Sequence, residues 1–219
     1  MENINIFSNK LWHLPFFDEH ECLEIIKYIE EKENFLKQNL KHEFINEFKR
    51  NDDESSYMNY CTRLYRKYNF FKDNPKYIPR LEKILKNKYQ DLNYPLMVQS
   101  WVNFYKKNQH IKWHKHSRYS PHALKGLTAN IFVGGDENLG VTYAFPHRNY
   151  PKYNYHNVKN KLGHIQIVDS SIYHMVKSNN SDQKRYTVGI TMTEFDIRHS
   201  EKFIRDSLFS EDIIILFND

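Results

Sequence analysis

The chain has 219 residues, of which 40% are hydrophobic, 16% aromatic and 27% charged, with 6 Gly and 7 Pro. That composition fits a globular domain and excludes a disordered, collagen-like or fibrous-repeat chain. Lys and Arg number 32 against 27 Asp and Glu, and because the surplus of +5 is spread along the chain, obligate nucleic-acid binding does not follow from it.

One domain is expected over 1–219, with a mostly helical N-terminal support at 1–95, a jelly-roll core at 96–193 and a C-terminal extension at 194–219. The opening MENINIFSNKLWHL lacks a basic segment followed by an apolar one, and no run approaches the roughly 18 apolar residues that span a bilayer. A cytoplasmic protein without membrane association is the expectation. From 18 to 50, Cys22, Leu23, Ile25, Ile26, Ile29, Phe35, Leu36 and Leu40 recur at helical spacing, with Asp18 as N-cap and Glu21 three residues on. Residues 51–56 (NDDESS) read as a polar connection, after which Tyr77, Ile78, Leu81, Ile84 and Leu85 repeat the helical pattern across 76–91.

From Pro95 the period shortens. LMVQSWVNFY, LTANIFV, VTYAF, HIQIV and RYTVGITMT are runs of β-branched and aromatic residues separated by turn-forming segments. They predict an α+β fold, a double-stranded β-helix (jelly roll) of antiparallel strands with the N-terminal helices packed on one sheet. The tail from 200 reads as a short helix followed by the apolar run IIILF, which docks on the body or on a second subunit. Cys22 and Cys61 have neither metal-type nor disulfide-framework spacing and are expected as buried thiols in a reducing compartment.

The run from Arg185 has two distinct faces: Arg185, Thr187, Gly189, Thr191 and Thr193 alternate with Tyr186, Val188, Ile190 and Met192. Either the polar face is the wet outside of a sheet, or the apolar face lies under helices and the polar face lines a pocket containing Arg185.

Eight of the twelve histidines fall between 110 and 174. His114 and His116 have the i, i+2 spacing that turns two imidazoles to one face of a strand, and His174 follows a strand that can run antiparallel beside them. Three such ligands leave positions open on a non-haem iron for an organic acid and O2. Arg185 lies eleven residues past His174 across a polar loop, with Thr187 on its face, and a fixed guanidinium is a fork for a carboxylate.

These residues resemble the Fe(II)- and 2-oxoglutarate-dependent oxygenases, in the prolyl-4-hydroxylase-like branch with bacterial and phage members. The family's Y-x-x-G-Q-x-(Y/F)-x-x-H-x-D is similar to Tyr105-Lys-Lys-Asn108-Gln109-His-Ile111-Lys-Trp-His114-Lys-His116, without a gap. KLGHIQIVDSSIYHMVKSNNSDQKRYTVG resembles its hydrophobic strand, distal histidine, loop and R-Y-(S/T) strand, and LPFFDEHECLEIIKYIE its first helix, so the likeness spans most of 14–193. It implies that His114 and His174 ligate Fe(II), that Arg185 with Thr187 beside it holds the distal carboxylate of 2-oxoglutarate, and that Tyr105 donates a hydrogen bond to that cosubstrate. Asn130, on LTANIFV, is a further candidate contact to the cosubstrate, near a place where the family often has a tyrosine and this chain has Phe132. The departure is His116, where the family has a carboxylate. His116 as third ligand, a two-histidine site completed by water or an anion, and an inactive site all remain open. The implied reaction is hydroxylation of an unidentified substrate with decarboxylation of 2-oxoglutarate to succinate, the prolyl-hydroxylase likeness favouring a protein or peptide side chain over a small molecule or nucleic acid.

Two other readings stand beside it. A cupin-type three-histidine metalloenzyme also uses H-x-H, but it gives Arg185 no task and expects a Glu where Ser117 to Ser120 stand. A non-catalytic jelly-roll binding or structural module would hold no stoichiometric metal.

Overall fold

Alternation of apolar and polar side chains along each strand decides how this chain layers. A computed structural model describes residues 10–39, 69–89, 95–116, 126–147, 152–194 and 214–216. Cys61, the helical continuation at 40–50, the connection at 51–56 and the short helix expected after 200 lie outside these. Strand β1 (Trp12–Pro15) leads into helix α1 (Glu19–Asn39), and a short helix α2 (Phe70–Asp73) and a 3-10 turn (Pro75–Tyr77) lead into α3 (Ile78–Lys88). Nine further strands follow: β2 (Leu96–Tyr105), β3 (Ile111–His114), β4 (Gly126–Gly134), β5 (Gly140–Pro146), β6 (Tyr153–Lys159), β7 (His164–Asp169), β8 (Tyr173–Val176), β9 (Arg185–Glu194) and β10 (Ile214–Leu216). They form a six-stranded sheet, β1-β7-β4-β9-β2-β10, facing a four-stranded sheet, β3-β8-β5-β6, every pairing antiparallel. This is the expected α+β jelly roll.

The helices cover the outer face of the larger sheet. Ile25, Ile29, Phe70, Phe71, Leu81 and Leu85 share one core with Val98, Val102, Leu127, Ile131, Ile167, Val188, Ile190 and Met192. The apolar face of β9 therefore meets the helices, and Arg185, Thr187, Gly189 and Thr191 point between the sheets, the second of the two placements its alternation allowed. Between the sheets a smaller cluster of Tyr105, Val141, Tyr143, Val168, Ile172 and Val176 closes the barrel.

Local chemistry sets the element ends. Asp18 Oδ1 accepts from Glu21 N at 2.8 Å while Glu21 Oε2 accepts from Asp18 N at 2.9 Å, a reciprocal capping box that starts α1. Arg80 on α3 grips both oxygens of Glu21, at 2.7 and 2.9 Å, and ties the two helices together. Three strands were not foreseen. β1 precedes the helix in a stretch read as mostly helical, polar β6 lies in a stretch read mainly as loop, and β10, from the apolar tail, pairs with β2 of this same chain. Among the described residues no helix is long and apolar enough to cross a membrane.

Gly163, at the β6–β7 turn, has φ +71, and its carbonyl accepts from Phe16 N and Phe17 N at 2.8 Å each. A Cβ there would sit 2.0 Å from the Phe17 carbonyl oxygen. Gly163→Ala is expected to lower the unfolding free energy by about 2–4 kcal/mol, read from the urea midpoint, because left-handed strain adds to a backbone clash that cannot relax cheaply.

Candidate functional site

Strands β3 and β8 pair so that His114 stands directly opposite His174, with ring centroids 4.2 Å apart. His116, two residues beyond His114, brings its ring to 5.2 Å from each of the other two and nearly parallel to His174. One ligating nitrogen from each of the three lies within 4.8 Å of the others, and among the described residues this is the group of three so gathered. The turn that delivers β8 is closed by Asp169, whose Oδ1 accepts from Ser171 N at 2.8 Å and Ser171 Oγ at 2.6 Å. That reversal carries the chain from one sheet to the other and sets His174 against His114.

Hydrogen bonds fix which nitrogen is free. His114 Nδ1 lies 2.9 Å from the Lys112 carbonyl and His174 Nδ1 lies 3.1 Å from the Ile172 carbonyl. A carbonyl only accepts, so both Nδ1 atoms carry the proton and both Nε2 atoms keep a lone pair for a metal. His116 Nδ1 is 3.3 Å from Thr191 Oγ1, and its ring lies 5.9 Å from that of Trp101. The Trp101 indole in turn lies over Gly189, where a Cβ would come within 2.6 Å of it. Burial is the main cause that lowers the pKa of all three imidazoles, and repulsion from the neighbouring histidines adds to it at His116, which falls to about 3, and at His174. They are neutral at neutral pH, the state a metal requires.

A second group lies in the same barrel. Arg185 opens β9 and is fully buried; its Nη2 donates to Asn160 Oδ1 at 3.3 Å, while Nε and Nη1 meet no acceptor. Its guanidinium sits 5.3 Å over the Tyr105 ring. Thr187, next along the inward face, receives a hydrogen bond from Asn103 Nδ2 at 3.3 Å and is bonded to the Tyr105 phenol. Burial pushes the Tyr105 and Tyr143 phenols up and Arg185 down, each shift opposed or limited by the contacts among them. Arginine nevertheless keeps its charge. Tyr143 joins the two groups: its ring is 5.8 Å from that of His174, its hydroxyl donates to Gln166 Oε1 at 2.8 Å, and the charge of Arg185 acts on it.

Asn130 lies on β4, opposite Gly189 on one side and Gln166 on the other, with its buried Nδ2 unpartnered. Arg185 Nε and Nη1, Asn130 Nδ2 and Asn160 Nδ2 are thus buried donors without acceptors, an arrangement an anion would complete. The donor set fits a transition metal at the histidines and a carboxylate at Arg185.

The other clustered histidines do not join the triad. His164 packs on His13 at 4.9 Å, His156 meets Phe145 at 5.4 Å, and His122 lies outside the described residues. His147 and His156 line a pocket of about 520 Å³ with Phe145, Asn154 and Val158 along β5 and β6. Sequence reasoning missed Tyr143, Gln166, Asn103 and Asn160. Period-two alternation of Val141, Tyr143 and Phe145 carried a signal for Tyr143, whereas Asn160 sits in a connection and had none.

Acid acts on this group with a definite sign. An imidazole whose folded pKa is depressed from 6.5 binds protons more readily when unfolded, so its contribution to stability is complete above 6.5 and is lost as pH falls from there toward the folded value, about 3 for His116. The urea midpoint of the metal-free protein is expected to fall between pH 7 and pH 5, and to fall less in His116→Gln. An equal fall in both would show that His116 is not the buried neutral base described.

No family model matches the chain, and no curated protein sequence does. Its structure is similar to a non-heme α-ketoglutarate-dependent carbocyclase, SnoK, from nogalamycin biosynthesis, at 16% identity and a TM-score of 0.59, over 94% of this chain and 92% of that one. It is also similar to a viral collagen prolyl hydroxylase from Paramecium bursaria Chlorella virus-1 (13% identity, TM-score 0.57, 87% and 99% covered). A prolyl-4-hydroxylase from Pseudomonas putida is likewise similar (9% identity, TM-score 0.53, 85% and 93% covered). With two facing antiparallel sheets, helices on the outside of one and a histidine triad between them, the chain has the fold of the Fe(II)- and 2-oxoglutarate-dependent oxygenases, including the prolyl-4-hydroxylases.

Proposed function

We propose that the chain is an Fe(II)- and 2-oxoglutarate-dependent dioxygenase that hydroxylates a protein or peptide side chain. The observation that carries this reading is the fully buried Arg185, with two donor nitrogens unpartnered, in the same barrel as three convergent neutral histidines. A structural arginine would have its acceptors supplied by the protein. The cupin reading leaves this residue without a task.

In this reading His114, His116 and His174 hold Fe(II) through the nitrogens left free by their backbone and hydroxyl partners. The iron supplies the activation of O2 that couples oxidative decarboxylation of 2-oxoglutarate, to succinate and CO2, to hydroxylation of the substrate. Arg185 binds the distal carboxylate of 2-oxoglutarate. Tyr105 and Thr187 wall that end, and Asn130 offers a donor along its length. Tyr143, Val141, Ile172 and Val176 exclude water from the space between the two ends. With no carboxylate among the three ligands the pocket is one unit more positive than with two histidines and a carboxylate, which favours a dianionic cosubstrate. The protein or peptide substrate is inferred from the likeness to the prolyl hydroxylases. The pocket along β5 and β6 adjoins Tyr143 through Phe145, at a ring distance of 6.5 Å. A reducing cytoplasm suits the ferrous state.

Anaerobic addition of Fe(II) and then 2-oxoglutarate is expected to give a visible charge-transfer band, absent in His174→Ala. Arg185→Met is expected to weaken 2-oxoglutarate by about two orders of magnitude, through loss of charge-assisted hydrogen bonds, while raising the melting temperature of the metal-free protein by removing an uncompensated buried charge. Metal binding without any response to 2-oxoglutarate would overturn the assignment.

A further inference from the structure

Beside Arg185 stands a residue whose chemistry the proposed function has not used. Asn160 is 4% exposed, in the connection between β6 and β7, and its backbone N–H donates to the Leu139 carbonyl at 3.2 Å. The residue before it is held too, its carbonyl accepting from Gln166 Nε2 at 3.4 Å. The Asn160 side chain is therefore mounted on a fixed backbone rather than on a loose loop.

Its amide has one tenable orientation. Oδ1 faces Arg185 Nη2 at 3.3 Å; the reverse would set an NH2 donor against a guanidinium donor. With Oδ1 so engaged, Nδ2 is directed elsewhere in the buried interior, where it has no acceptor. Arg185 Nε and Nη1 are in the same condition, so two side chains in contact carry three unsatisfied buried donors between them. An aspartate here would satisfy the guanidinium and cancel its charge. The asparagine steadies the guanidinium with a neutral oxygen, leaves the charge available, and adds a donor of its own.

We propose that Asn160 is a cosubstrate-binding residue, donating through Nδ2 to the distal carboxylate that Arg185 also grips, and so selecting 2-oxo acids that end in an anion. This rests on the proposed oxygenase function and deepens it. An Asn160 that only orients Arg185 would also favour an anionic tail, but through Arg185 alone, so removing it would change nothing once Arg185 is gone.

The test is anaerobic titration of the Fe(II)-loaded full chain with 2-oxoglutarate and with 2-oxovalerate, which has a methyl group in place of the distal carboxylate, following the charge-transfer band, with melting temperature as a second readout. Wild type is expected to bind 2-oxoglutarate more tightly. In Asn160→Asp the ion pair with Arg185 is expected to raise the metal-free melting temperature and to weaken 2-oxoglutarate by roughly 30-fold or more, with 2-oxovalerate changed by less than about threefold. Asn160→Ala is expected to weaken 2-oxoglutarate about tenfold with 2-oxovalerate again nearly unchanged, and in the Arg185→Met background to weaken 2-oxoglutarate by a further factor of about three or more. No further loss in that background would show that Asn160 acts only through Arg185 and would overturn direct donation. Variants that bind 2-oxoglutarate within about threefold of wild type, or that lose both acids equally, overturn the role of Asn160 alone. Absence of any band in wild type overturns the oxygenase reading itself, and Asn160's role with it.

Discussion

A guanidinium with no counter-charge among the described residues, sealed between two sheets, is the constraint to which the rest of this barrel answers. Taking an ion out of water costs several kcal/mol even after relaxation, and among the described residues Arg185 recovers a single hydrogen bond, to Asn160, and the face of Tyr105. The fold tolerates this because the other side of the same strand is strongly stabilising. Val188, Ile190 and Met192 are fully buried under the helices, each worth about 1.5–3 kcal/mol relative to exposure. The helical layer is thus what allows the opposite face of β9 to hold a charge.

The backbone around Arg185 is correspondingly closed. Gly135, at φ +112, passes so near that a Cβ would lie 2.8 Å from Arg185 Cα. On the other side the loop before β9 is held by Asn179, fully buried, whose Nδ2 donates to the carbonyls of Tyr105 and Gln183 at 2.8 Å each. That side chain joins the end of β2 to the loop that delivers Arg185, so Tyr105 and Arg185 meet through a shared anchor as well as through strand pairing.

The histidine triad shows how a neutral donor set is kept neutral. Two imidazoles take their orientation from the carbonyl two residues before them, so the element that carries each ring also sets its tautomer. His116 lies past the end of its strand and takes its position from across the barrel, from Thr191 and from Trp101 over Gly189. Thr191 and Gly189 lie on the same face of β9 as Arg185, so one strand steadies the third histidine and carries the buried positive charge. Three neutral imidazoles and one arginine leave the cavity positive, and its unpartnered donors agree with that sign, while Asn103 Oδ1 beside Thr187 is an unpartnered acceptor.

The histidines at i, i+2, the distal histidine and the arginine eleven residues beyond were legible in the sequence because strand alternation translates spacing directly into facing. The alternation along β9 was also plain in the sequence, as were the helical periods of α1 and α3 and the capping box at Asp18. What that alternation could not say is which face turns inward, since either choice buries one side of the strand and only the helices packed on the larger sheet decide between them. β6 and Asn160 were hidden for a related reason. A polar edge strand has no hydrophobic period to betray it, and a connection residue gains a role only when the chain brings a partner from 25 positions away in sequence. Local pattern determined the residue types and their spacing, whereas the pairing of the sheets decided which of them share the barrel, because long-range packing and not local propensity brings β3, β6, β8 and β9 together.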